Sequence, residues 1–353
     1  MSSETMQAVV CHAPYDYRVE ELPLPEPGRN ELLVKVGSAG ICASDMKCFT
    51  GGELFWGESG WHVNAPVVPG HEFAGVVAAL GDGAAERHNV GVGDHVIAEQ
   101  IVPCGRCRFC RDGTYWMCEP HCTFGFNRDG GMADYMIFPA NARVHRIPVA
   151  VSKQQAAYIE PLACAMHAVD RGEIRPGDTA VVAGTGNIGL CALQAAKRFN
   201  PGQLIAVDTK PERLELALRL GADVAVNPLE EDAPARVKAL TDGYGCDVYI
   251  EITGSAKGPQ QGLDMIRRLG TLVAFSVLNE PAQIDWNMVG DQKELNLHGA
   301  HLGPYCYPKA IAAIADGTID VASLITAEFA LAEFADAMAA ARSGDNLKTL
   351  VTP

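Results

Sequence analysis

The sequence is short of positive charge. Its 353 residues carry 28 Lys and Arg against 43 Asp and Glu, a formal net charge of −15. Nucleic acid and anionic membrane surfaces both call for basic stripes, so neither is an expected partner. Long apolar runs are also missing: the longest are strand-length and broken by Gly, which excludes a membrane-spanning helix. The opening residues Met1-Ser2-Ser3-Glu4-Thr5 offer neither a basic nor an apolar leader segment, so no signal peptide is expected and a cytoplasmic location is the default. No internal repeat or low-complexity segment is present. Hydrophobic residues at 48% and charged residues at 20% are ordinary for a globular protein, and the length suits two domains, each with its own core. Cysteine is not scarce. Twelve cysteines without a secretory signal fit metal ligands and buried thiols better than disulfides.

Two stretches, Gly40-Ile41-Cys42-Ala43-Ser44-Asp45 and Pro69-Gly70-His71-Glu72-Phe73, together offer a thiolate, an imidazole, a hydroxyl and two carboxylates. Zinc takes such S, N and O ligands, and a catalytic zinc keeps one position open. Cys42 and His71 are 29 residues apart, so a buried Cys and a core His bonded to Asp45 read equally well from spacing alone. The strongest local signal is Cys104, Cys107, Cys110 and Cys118, four thiolates within fifteen residues. Four sulfurs close a tetrahedral shell, which makes a structural zinc site, and Arg106, Arg108 and Arg111 offset part of its charge. An iron–sulfur cluster is the competing reading, but its fourth Cys follows sooner and is followed by Pro.

From Met6 to Val36 the pattern is strand-like, broken by Pro23-Leu24-Pro25-Glu26-Pro27-Gly28. The long connection from Phe49 to Pro69 holds Phe55, Trp56 and Trp61 and reads either as a wall of a substrate pocket or as an oligomer contact. Phe49, Trp56 and Phe124 are further pocket candidates that could equally be core. Short strands return from Met132 to Pro148. A helix is then predicted over Gln154–Glu173, with a break or start at Pro161 and with Glu160 as a carboxylate in apolar company that needs a partner or a metal. The buried run Asp178–Ala183 enters Gly184-Thr185-Gly186-Asn187-Ile188-Gly189, a helix follows, and the next strand ends at Asp208. This is a dinucleotide fingerprint: the glycines admit the pyrophosphate to a helix N-terminus, and the acid takes the ribose hydroxyls. Asp208 favours NAD over NADP, while Lys210 and Arg213 keep the opposite preference open. Alternating strands and helices then predict a doubly wound parallel sheet, with Thr253, Phe275 and Val277 just past strand ends. Beyond Gly299 two helices, about Tyr307–Asp316 and Leu331–Ser343, and a final strand are expected.

With these motifs in this order, the whole chain resembles the zinc-dependent medium-chain alcohol and polyol dehydrogenases, in their sorbitol-dehydrogenase-like branch. The resemblance implies an α/β protein. A GroES-like β-rich catalytic domain, residues 1–157 and 298–353 with a zinc lobe at about 100–122, would hold an inserted Rossmann domain, 158–297, with its doubly wound parallel sheet. It implies two zinc ions per chain. Cys42, His71, Glu72 and Glu160 would serve the catalytic one, Glu72 directly or through water, with Cys164 as a rival fourth ligand. Cys104, Cys107, Cys110 and Cys118 would hold the structural one. Ser44 would relay the proton, outward through the cofactor's ribose, and Asp45 would orient His71. NAD would be bound by Gly184, Gly186, Asn187, Ile188, Gly189, Asp208, Arg213, Thr253, Phe275 and Val277. A homo-oligomer, dimer or tetramer, is expected.

The Phe55-Trp56-Gly57 loop and Glu99-Gln100-Ile101-Val102-Pro103-Cys104 look most like the bacterial erythritol/L-threitol dehydrogenases. Where sorbitol dehydrogenases carry an Arg-Tyr pair after the Gly matching Gly299, this chain has Ala300-His301-Leu302. Loss of that guanidinium speaks against a six-carbon polyol. The expectation is oxidation of a secondary hydroxyl of a four-carbon or five-carbon polyol to the ketose. The alternatives are L-threonine 3-dehydrogenase, sorbitol or xylitol dehydrogenase, and a scaffold without chemistry.

Overall fold

The β-rich opening folds as its alternation requires. In the computed structural model, which describes residues 4–58, 63–278 and 280–353, β1 (Thr5–Ala13) and β2 (Asp16–Pro23) form an antiparallel ribbon. Next come β3 (Leu32–Gly40), the short helix α1 (Ala43–Phe49), β4 (Glu72–Leu80), β5 (His95–Ala98), β6 (Tyr135–Phe138) and β7 (Val144–Arg146). The predicted long helix breaks earlier than Pro161. A single turn ends at Ala156, and α2 (Ile159–Gly172) places Pro161 inside its first turn, where a missing N–H costs no intrahelical bond.

The second part of the chain contains β8 (Thr179–Ala183), α3 (Asn187–Lys197), β9 (Gln203–Val207), α4 (Pro211–Arg219) and β10 (Val224–Val226). It continues with α5 (Ala233–Ala239), β11 (Cys246–Glu251), α6 (Gly258–Met265), β12 (Ile266–Ala274) and β13 (Asn296–Gly299). Its six strands pair in the order β10-β9-β8-β11-β12-β13, every pair parallel. Strands covered on both faces read as continuous apolar runs, and in β8 Ala180, Val181, Val182 and Ala183 are all buried. Helices α5 and α6 escaped the sequence reading.

The chain then adds α7 (Tyr307–Ala315), β14 (Ile325–Ala330), a 3₁₀ turn at Leu331–Glu333, α8 (Phe334–Ser343) and β15 (Lys348–Thr352). β15 pairs antiparallel with β3 and completes a seven-stranded sheet, β14-β15-β3-β4-β5-β7 with β6 beside β3. Its core gathers Val34, Val36, Phe73, Val77, Phe124, Phe138, Phe334 and Met338. Two compact units result, Met1–Glu160 with Tyr307–Pro353, and Pro161–Cys306. Both junctions lie slightly later than the sequence reading put them, and β13 keeps His298 and Gly299 in the parallel sheet. Among the described residues no helix is long and apolar enough to cross a membrane.

Candidate metal and dinucleotide sites

Strand pairing explains how residues far apart in sequence meet. In the β3–β4 ladder Gly40 stands opposite Glu72, so Cys42, just past the end of β3, arrives beside His71 and Glu72 at the start of β4. A Cβ on Gly40 would overlap the Glu72 carboxylate, so glycine is what admits that side chain. Cys42 caps α1, and its N–H donates to Asp45 Oδ2 at 2.9 Å. That bond aims the other oxygen of Asp45, Oδ1, at His71 Nδ1, 3.4 Å away, while His71 Nε2 lies 3.3 Å from Ser44 Oγ. The Phe126 ring packs beside the imidazole, 5.2 Å between centroids.

One ligand atom each from Cys42, His71 and Glu72 lies within 4.8 Å of the others. Burial alone would lower the His71 pKa, but Asp45 and Cys42 beside it outweigh that and hold it well above the usual imidazole value. Glu72 Oε1 is buried without a hydrogen-bond partner, although a carboxylate oxygen in that position needs one. A soft sulfur, an imidazole and an unsatisfied carboxylate oxygen in one anionic pocket fit a divalent zinc ion. Glu160, on the first turn of α2, is buried and close enough to act on the charge of Lys348, but it is not part of the 4.8 Å cluster.

Lys348, which the sequence reading missed, opens β15 and is 3% exposed. Its ammonium pairs with Glu72 Oε2 and donates to the Ile41 carbonyl at 3.3 Å. Burial would lower its pKa, but Glu72 and then Cys42 outweigh burial and raise it. The available signal was a lone cation inside the otherwise strand-forming run Leu347-Lys348-Thr349-Leu350-Val351.

The four cysteines of the lobe also come together. Cys104 and Cys110 sulfurs are 3.9 Å apart, and those of Cys107 and Cys118 4.0 Å. Zn–S bonds of about 2.3 Å give a tetrahedral edge of about 3.8 Å, which these two edges match, and all four sulfurs lie within 4.8 Å of one another. Backbone N–H groups of Arg106 and Cys107 point at the Cys104 sulfur and lower its pKa to about 6, whereas burial pushes Cys118 up to about 12.

In the second unit β8 and β11 are neighbours from which the strand order runs in opposite directions, the switch point at which open parallel sheets bind ligands. Gly184, at φ +90°, turns the chain out of β8, and Gly186 caps α3. A Cβ on Gly189 would overlap the Gly184 carbonyl, which explains the last glycine of the fingerprint. Asn187 and Ile188 form the first residues of α3. Asp208 accepts from Thr185 N at 2.6 Å and from Lys210 N at 3.0 Å, so its carboxylate is fixed against the glycine turn. An added Cβ on Gly186 would be 3.7 Å from an Arg213 guanidinium nitrogen. Thr253 lies just past β11, where its N–H and hydroxyl both bond Glu251. Phe275 and Val277 follow β12, and Val277 is exposed.

The aromatic loop is partly interior. Phe55 is buried and stacks on Phe126, and Trp56 Nε1 donates to the Cys48 carbonyl. Phe124 belongs to the core with Phe73 and Phe138, and Phe49 packs against Tyr15 and Tyr17. Trp61 lies outside the described residues.

Comparison with known proteins matches these halves one to one. Residues 28–149 match the family profile described as "Alcohol dehydrogenase GroES-like domain", and residues 187–316 that described as "Zinc-binding dehydrogenase". The chain is 46% identical to the erythritol/L-threitol dehydrogenase of Mycolicibacterium smegmatis, over 99% of this chain and 98% of that protein. This chain belongs to the zinc-dependent medium-chain alcohol and polyol dehydrogenases. It is 35% identical to the sorbitol dehydrogenase of Bacillus subtilis, again over 99% and 98% of the two chains. A zinc-binding dehydrogenase of Sinorhizobium meliloti, solved with NADP bound, superposes with a TM-score of 0.89 at 30% identity, covering 99% of this chain and all of that one. The fold expectation of a GroES-like domain with a Rossmann domain therefore holds, and the protein is an oxidoreductase acting on a small molecule.

Proposed function

We propose that this dehydrogenase oxidises a secondary hydroxyl of a four-carbon, or at most five-carbon, polyol to the ketose, with NAD as hydride acceptor. The reading rests above all on the Cys42–His71–Glu72 donor set with a serine hydroxyl at its edge. Cys42, His71, Glu72 and Glu160 would hold the catalytic zinc, Glu72 directly or through water. Cys104, Cys107, Cys110 and Cys118 would hold a second, structural one. When bound, zinc lowers the pKa of a substrate hydroxyl, and NAD takes up the hydride.

The chain's own residues supply position and proton transfer. Asp45 Oδ1 lies 3.4 Å from His71 Nδ1, which would leave Nε2 for the metal. The Ser44 hydroxyl, 3.3 Å from Nε2, would accept the substrate proton and hand it on. Asp208 would take the adenine-ribose hydroxyls and repel a 2′-phosphate. A carboxylate from Glu160, where a thiolate would be softer, suits a hydrated polyol. The absence of Arg in Ala300-His301-Leu302 and the likeness to an enzyme named for erythritol and L-threitol support a short substrate. A homodimer or homotetramer in the cytoplasm fits this activity.

Steady-state rates on alcohols and polyols of two to six carbons, each with NAD and NADP, test the reading. Erythritol or threitol with NAD is expected to give the highest kcat/KM. Ethanol, L-threonine, sorbitol or xylitol at the top would replace it with one of the alternatives.

A further inference from the structure

The crevice between β8 and β11 has two lips, and they touch. On one side Gly184 turns the chain out of β8, and a Cβ there would stand 2.7 Å from the Ile252 carbonyl oxygen and 2.9 Å from Thr253 Cα. On the other, Ile252-Thr253-Gly254 carries the chain out of β11, with Ile252 N donating to the Ala183 carbonyl at 2.8 Å. The place of the glycine turn therefore depends on how the second turn is held.

Glu251, the last residue of β11, is 1% exposed. Its Oε1 accepts from Thr253 N at 2.8 Å and from the Thr253 hydroxyl at 2.5 Å. That hydroxyl accepts in turn from Ser255 N at 3.0 Å, and Gly254 N donates to Ser276 Oγ at 2.9 Å. Helix α6 closes over the carboxylate: a Cβ on Gly258 would be 2.7 Å from Oε1, and the Gly258 carbonyl accepts from the buried Tyr249 hydroxyl at 3.1 Å. Burying a carboxylate is costly, but its hydrogen bonds are about twice as strong as neutral ones, which suits a turn that must not move. Thr253 spends its N–H and its hydroxyl proton inward, so what it offers a ligand is the placement of its backbone. We propose that Glu251 is a positioning residue for the dinucleotide: by holding Thr253 it fixes the 252–254 turn against Gly184, and so the crevice that receives the cofactor. The proposal rests on the reading of that crevice as the NAD site.

Variants of the full-length protein test it through NADH binding, read by fluorescence titration, with urea midpoints measured alongside. Glu251→Ala should raise the NADH Kd about tenfold, while Glu251→Gln, which keeps an acceptor for both Thr253 groups, should stay within about threefold of wild type. Thr253→Val should weaken binding about fivefold. Because Glu251 acts through Thr253, the double variant Glu251→Ala/Thr253→Val should bind within about threefold of the weaker single variant. A role in stability alone would lower the urea midpoint of Glu251→Ala and leave the Kd of the folded protein unchanged, and that result overturns the proposal. Losses that multiply in the double variant overturn it too, because Thr253 would then touch the cofactor on its own account. If Glu251→Ala does not fold, Thr253→Val decides, and wild-type affinity there is the refuting result. Wild-type protein that fails to bind NADH would instead refute the underlying reading of the crevice.

Discussion

Glu99 offers a test of how the cysteine lobe is fastened to its domain. The side chain is 3% exposed and is approached from three sides. Tyr115, on the segment between Cys110 and Cys118, donates its hydroxyl at 2.7 Å; Arg143 donates at 3.2 Å; and His145 stands at 2.9 Å. Arg143 also lies over the Tyr115 ring at 4.1 Å, and Tyr307 stacks on His145. Glu99→Ala would take the shared carboxylate acceptor from a guanidinium, a phenol and an imidazole in a half-buried site. Breaking a buried charged network by removing one partner costs about 3–5 kcal/mol. Glu99→Gln keeps the shape and one acceptor but turns an amide NH₂ toward a donor, for a loss of about 1–3 kcal/mol. Urea unfolding followed by tryptophan fluorescence reads the right unit, because Trp56, Trp61 and Trp116 all precede residue 160 and only Trp286 follows it. The Ala variant should unfold at clearly lower urea than the Gln variant. Equal midpoints for the two, or a loss below about 1 kcal/mol in Ala, would refute the network as the fastening.

The dinucleotide and zinc sites yield two further expectations. If Asp208 selects against a 2′-phosphate as proposed, Asp208→Ser should shift the ratio of kcat/KM for NAD to that for NADP by about tenfold or more toward NADP; an unchanged ratio would transfer cofactor choice to Lys210 and Arg213. In zinc-stripped protein, Cys104, whose pKa is lowered to about 6, becomes thiolate as pH rises through that value, whereas Cys118, raised to about 12, stays a thiol to high pH. Alkylation mapped by mass spectrometry should therefore label Cys104 first between pH 6 and 8, and equal labelling of the two sulfurs would contradict the backbone N–H groups as the cause.

Legibility followed the range of the interactions. The cysteine cage and the glycine turn are local: fifteen residues hold all four sulfurs, and the tight contact of Gly189 with Gly184 lies five residues away in sequence, so pattern alone reached them. Cys42 and His71 could not be joined by spacing, because a ladder in which Gly40 faces Glu72 is what brings them together. Helices α5 and α6 were missed for a different reason. They are seven and eight residues long with Pro near their starts, too short for periodicity to rise above the strands around them. Yet α5 carried a readable start signal, since Asp232 caps it by accepting from Ala235 N at 3.0 Å.

Lys348 marks the other extreme. Its partner lies 276 residues away in the chain, and the local signal, a lone cation in a strand-forming run, does not name that partner. The surrounding charges make its burial intelligible. Cys42, Glu72, Asp45 and Glu160 concentrate negative charge where β3, β4 and α2 begin or end, and both cationisable groups among them, His71 and Lys348, have pKa values raised in spite of burial. Lys348, paired with Glu72 inside this group, offsets part of that like-charge repulsion. A lysine on the returning strand therefore lets the donor set stay assembled before a metal arrives.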